Sequence, residues 1–290
     1  MTAVAIPARG TARRRRAWTP TRGYVAVLAG PAIFLGIFFV WPLLRVVLRS
    51  FIEPRLGFGN YERVLFTGPF VRVFLNTFEI ALSVTLICLV VAYPLAYVIA
   101  QSRGLRLKLL SGMVVIPLWT SVVIRSYAWM ILFQRRGILN EAMTSLGWID
   151  QPLQILQTSV AVHIGMVHIL LPFMILPLVA NMRGIDGTLL RAGQVLGAGP
   201  TRLFLRVYLP LSLPGVSAGV ALVFITALGF YVTPALLGGA KSTMAAVLIE
   251  QEASQYLDWP LASALATVLL VATSLTYLVY TRLLRGGRAR

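Results

Sequence analysis

NMRGIDGTLLRAGQVLGAGPTRLFLRVYLPLSLP, residues 181–214, is a glycine-punctuated connection set between two long uncharged blocks, 151–182 and 207–240. Thr188 to Leu196 is helix-permissive, Gly197 supplies a C-terminal stop, and Gly199-Pro200 places proline at the first position of a second short helix that ends near Pro210. Two short helices around a turn make a small protrusion, with Leu196 and Phe204 expected on its surface. By shape this is a docking face; the alternative is an amphipathic loop lying on lipid headgroups.

The blocks on either side of that loop belong to a series. Apolar residues make up 58% of the chain and charged residues 12%, with a mean hydropathy of +0.82. Soluble domains carry roughly a quarter charged residues, so lipid is the implied solvent. Uncharged or nearly uncharged runs match the roughly 20 residues a helix needs to cross a bilayer. They predict an all-α integral membrane protein with six transmembrane helices at about 24–45, 77–101, 109–133, 155–180, 211–236 and 261–282. The loop 181–210 then lies between helices 4 and 5. Basic tails, 1–22 and 285–290, flank one membrane domain, 23–284.

The formal net charge of +17 is distributed by side. With the N-terminus inside, the tails and inner loops hold 17 of the 26 basic residues against one acid, Asp186, whereas acids and bases nearly balance on the outer side. This bias predicts a multi-pass protein of the cell membrane with both termini cytoplasmic. The Arg13–Arg16 cluster reads as an orientation signal and headgroup anchor rather than a nucleic-acid contact. The first apolar block lacks a small-residue cleavage site and is expected to remain as helix 1.

The chemistry excluded is as informative. Cys88 is the only cysteine, so disulfides and cysteine metal clusters are ruled out. Lys241 is preceded by Ala235 and Ala240 where a phosphate-binding loop needs glycines, so no nucleotide site, catalytic residue or cofactor is expected. His163 and His168 are five apart on one helix, on different faces, and suit interhelical hydrogen bonds better than a metal. Few ionisable groups lie near the membrane interior, which argues against an ATP-independent secondary carrier or channel, the competing reading.

Candidate pathway residues follow from positions that break the membrane rule. Gly229 to Pro234 interrupts the fifth span, and irregular backbone at that depth is tolerated where it faces protein or water, so Tyr231, Thr233 and Pro234 are candidates. Gly215 and Gly219, four apart, suit close helix packing. Arg125 must face the bundle or snorkel outward, pairing with a carbonyl or with Glu79. Glu79 and Asp258 are the acidic candidates, or else interfacial residues.

The loop resembles the cytoplasmic segment of binding-protein-dependent ABC importer permeases, whose pattern is Glu-Ala-Ala, three residues, Gly, then Leu-Pro. Here it stands as Arg191-Ala192-Gly193, Gly197 and Leu209-Pro210, so Arg191 replaces the glutamate and Gly193 an alanine. The resemblance runs from about Asn60 to Leu284 and narrows to the spermidine/putrescine permease branch. Asn60-Tyr61-Glu62-Arg63, Ile116 to Thr120, Ile124 to Tyr127, Gly137 to Glu141, Leu170 to Met174 and Tyr231 to Gly239 carry it. It implies an ATPase-coupling loop at Arg191, Ala192, Gly193, Leu196, Gly197, Phe204, Leu209 and Pro210. It also implies two ATP-binding subunits, a companion permease and an extracytoplasmic solute-binding protein, with polyamines or a related small organic solute as cargo.

Overall fold

The computed structural model describes residues 22–53 and 55–286; the Arg13–Arg16 cluster and the last four residues lie outside them. The chain divides into two units at Arg45–Val46. The first is helical: α1 (Arg22–Leu35) runs through a π-turn at Gly36–Val40 into α2 (Trp41–Ile52), which carries the helix on into the second unit. Leu28–Ile52 is long and apolar enough to cross a membrane.

The second unit contains twelve further helices, and no strand occurs among the described residues. After α3 (Gly59–Glu62) comes α4 (Phe70–Gln101), 32 residues and so about 48 Å long. Next are α5 (Gly104–Val115), α6 (Val122–Phe133), α7 (Ile138–Ser145) and α8 (Ser159–Arg183). The loop holds α9 (Gly187–Val195) and α10 (Pro200–Leu203), followed by α11 (Leu209–Leu228) and α12 (Val232–Leu237). The chain closes with α13 (Ala245–Ser254) and α14 (Trp259–Gly286).

The core is built where α4, α8 and α11 pack together, around Ile80, Val84, Cys88, Met166, Met174, Leu178 and Val223. Small residues let the backbones approach. A side chain on Gly219 would meet the Met174 sulfur at 2.7 Å, and one on Gly215 would meet Asn181 Cβ at 2.7 Å. Val64, Leu261, Ala264 and Leu265 form a smaller second cluster. His163 bonds Ser83 across α8 and α4 at 2.7 Å, the interhelical role its position suggests.

Two expectations need correction. The third span is not one straight helix: Gly104–Trp119 and Val122–Ser145 meet at a 96° bend. Pro117 interrupts the ladder there, and Thr120 and Ser121 are extended at ψ 144° and 135°, which a hydropathy profile does not register. The second loop helix does not end near Pro210 either, because Pro200–Leu228 is a continuous helical run. A π-turn at Phe204–Tyr208 directly precedes Pro210 and accommodates its missing N–H without stopping the helix.

Candidate functional site

The loop between α8 and α11 is tightly specified by its sequence. Asp186 caps α9 by accepting from the Thr188 amide at 2.8 Å, and this hydrogen bonding holds its carboxyl below the ordinary range. At the other end Gly197 has φ +79°; its amide donates to Gln194 O at 2.9 Å and the Ala198 amide donates to Gly193 O at 3.0 Å. These two bonds are the Schellman pair that closes a helix, and they require a left-handed residue at position 197. Pro200 then opens α10 at its first position, where no donor is needed. Gly193 meets the Leu203 side chain directly, so an alanine there would force Leu203 to move. Arg191, Ala192, Leu196 and Pro210 are exposed, Leu209 is half-buried, and a hollow of about 520 Å³ lies between Gly197 and Arg206.

Phe204 is half-buried rather than a surface residue of the protrusion. The π-turn directs its ring against Tyr93 at 6.1 Å and Tyr97 at 6.2 Å on α4, and against Tyr208 at 6.0 Å. Tyr97 also packs on Tyr208 at 5.0 Å, and the Tyr93 hydroxyl meets Ser212 Oγ at 2.9 Å. Four rings therefore fasten the base of the loop to the longest helix of the bundle. Sequence reading missed Tyr93, Tyr97 and Tyr208; their recurrence as tyrosines on otherwise aliphatic spans was the available signal.

The interruption after α11 is present at Gly229–Tyr231, before α12. Thr233 is fully buried and pairs with Ser126 at 2.9 Å, tying α12 to α6. Pro234 is buried, while Tyr231 is 39% exposed with its hydroxyl beside Glu250 of α13. Glu79 is exposed on α4. Asp258 is engaged twice, with Arg63 at 3.2 Å and with the Leu261 amide at 3.1 Å. Arg125 does not pair with a carbonyl or with Glu79. It is 9% exposed, and its Nε and Nη1 are enclosed without a hydrogen-bond partner.

No family model matches the chain. It is 37% identical over 233 residues to the spermidine/putrescine transport system permease protein PotB of Escherichia coli, covering 80% of this chain and 84% of that one. The PotB protein of Haemophilus influenzae is 38% identical over 265 residues, 86% and 92% of the two chains. This chain belongs to the spermidine/putrescine branch of the binding-protein-dependent ABC importer permeases. Its fold is that of an ABC importer membrane subunit: a chain of a bacterial alginate ABC transporter, in complex with its periplasmic protein, matches at TM-score 0.73 and 18% identity over 88% and 92%. A chain of the inward-facing MetNI methionine ABC transporter matches at 0.59 and 18% over 74% and 94%.

Several of the phrases that mark the permease branch are folding devices. Asn60 donates to Ser50 O at 3.0 Å and Glu53 O at 2.7 Å, and Tyr61 meets Ser50 Oγ at 2.6 Å, so the pair pins the connection after α2. Asn140 is 1% exposed; it donates to Gln134 O and Leu153 O at 3.1 and 3.0 Å and accepts the Leu153 amide at 2.9 Å. A side chain on Gly137 of this permease would strike Ile131 O at 2.6 Å.

Proposed function

We propose that this permease subunit forms, with a companion permease of like fold, the membrane pathway through which polyamines such as spermidine and putrescine, or a related small organic solute, enter the cell. ATP is hydrolysed by two separate ATP-binding subunits that dock against the α9–α10 protrusion, and an extracytoplasmic binding protein delivers the solute. The observation that carries this reading is the capped helix–turn–helix between two spans, in a chain whose Lys241 has no phosphate-loop glycines ahead of it.

The four-ring cluster gives the docking site mechanical purchase, since a push on α9 or α10 reaches α4 and α11 through Phe204 and Tyr208. Along the pathway, Tyr231 and Glu250 supply what an organic ammonium recognises, a ring face and a carboxylate, with cation–π attraction of about 0.5–2 kcal/mol. Thr233 and Pro234 hold the break that exposes them, and Glu79 adds negative charge on α4. The excess of inner-side basic residues sets both termini in the cytoplasm.

Isolation of the assembled complex with its binding protein, followed by identification of the retained ligand, tests the cargo. Spermidine or putrescine is expected; an anionic or saccharide ligand would refute the polyamine assignment. Reporter fusions after residues 60, 145 and 245 should read as external, and a cytoplasmic signal from any of them would break the orientation.

A further inference from the structure

Arg125 lies on α6, inside the apolar bent span, with two guanidinium nitrogens enclosed and unbonded. An arginine in hydrocarbon is costly and a buried unpaired charge more so, which calls for an acceptor. None is near. The helices packed on α6 are α7, α8 and α12. α8 and α12 contain no carboxylate, and the one acid of α7, Glu141, is exposed and follows the opposite end of α6.

The neighbouring group adds a donor instead of an acceptor. Trp129 stands one turn after Arg125 on α6, and its ring packs on His168 with centroids 5.6 Å apart. The Trp129 indole, which can only donate, gives its N–H to His168 Nδ1 at 3.1 Å. The neutral ring therefore carries its proton on Nε2 and offers a second outward N–H. His168 is exposed, and Nη2 is the one guanidinium nitrogen of Arg125 not enclosed. Beside these donors α6 presents an open stripe of Ile124, Tyr127, Ala128 and Ile131, apolar with one small residue, the surface a second transmembrane helix packs on.

We infer that Arg125 and His168 form a seat for one carboxylate carried by a helix of the companion permease, so that this chain's buried cation is completed only at the subunit interface. Charge complementarity selects the occupant. A cationic solute is repelled here, whereas a carboxylate has two oxygens to accept from Arg125 and from His168. The inference rests on the companion permease of the proposed function. It gives Arg125 a role in assembly rather than in contact with cargo.

The test is a charge swap in the full complex, purified through a tag on this chain. Arg125→Glu should lower retention of the companion at least tenfold and abolish uptake, and Arg125→Gln should do so less severely, both at parental levels of membrane insertion. In the Arg125→Glu background, each membrane-embedded Asp or Glu of the companion is changed in turn to Arg. One of these should restore retention and uptake. A cysteine at that position should form a disulfide with Arg125→Cys in a Cys88→Ala chain.

Parental retention and uptake by Arg125→Glu would overturn the inference, as would a loss that no companion substitution restores. If the parent needs phosphatidylglycerol in the reconstituting bilayer and Arg125→Gln does not, the acceptor is a lipid phosphate and the inference also falls. A parental chain that retains no companion at all would instead fail the proposed function, which separates the two.

Discussion

Replacing Gly197 tests whether the loop couples this chain to its ATPases. The residue stands at φ +79° between the Gln194 and Gly193 hydrogen bonds that end α9, and a β-carbon added there meets nothing within 4 Å. The cost of a side chain is therefore backbone strain alone, about 1–2 kcal/mol for an L-residue in the left-handed region and less for asparagine, which visits it readily. A strain of about 1.4 kcal/mol is a tenfold change in the population of the docking-competent turn. Gly197→Asn should thus be mild, Gly197→Ala should lower retention of the ATP-binding subunits about tenfold, and Gly197→Glu, which adds a charge to be desolvated at the docking face, should abolish it. All three should insert normally, because the loop lies outside the spans. The assay is co-purification followed by solute-stimulated ATPase activity. Equal retention by the Ala and Asn variants would refute the strain argument, and parental coupling in Gly197→Glu would remove the loop from the coupling role.

Two further outcomes follow from packing and charge. Gly219→Val places atoms where Met174 already sits, and overpacking of about 1–3 kcal/mol should lower the melting temperature of the detergent-purified chain; an unchanged value would deny the close α8–α11 approach. Burial raises the Glu252 carboxyl above the ordinary glutamate range, Asp258 adds to this, and Arg63 opposes it. The folded state therefore favours the protonated form, so stability tied to this group is present at low pH and is lost as pH rises through the raised folded pKa. Glu252→Gln should raise the melting temperature at neutral pH, with the gain fading as pH falls below the ordinary glutamate pKa, and a pH-independent gain would contradict the assignment.

The parts of this molecule that were legible in the sequence are those set by local chemistry. Gly197 and Pro200 each need only their immediate neighbours to stop or start a helix, and the structure places them in those roles. The 96° bend at Thr120–Ser121 was hidden because hydropathy is blind to direction, and an apolar run containing Pro117 reads as one span. Phe204 was misplaced for a different reason: its partners Tyr93 and Tyr97 are more than a hundred residues away, and the π-turn that swings its ring has no local signature. Arg125 was recognisable as anomalous, but the enclosure of its Nε and Nη1 without a partner depends on how α6, α7, α8 and α12 meet. Asn60 and Asn140 stand in phrases that carry the family resemblance, and each binds the backbone of a neighbouring connection.

Uptake in proteoliposomes tests the account most directly. This chain, its companion permease and the ATP-binding subunits are reconstituted, and labelled spermidine is offered on the binding-protein side. Accumulation is expected only when binding protein and ATP are both present, and it should disappear in Gly197→Glu while spermidine binding by the external protein is untouched. Accumulation driven by this chain alone, without ATP or ATPase subunits, would contradict the central claim and make it a carrier in its own right.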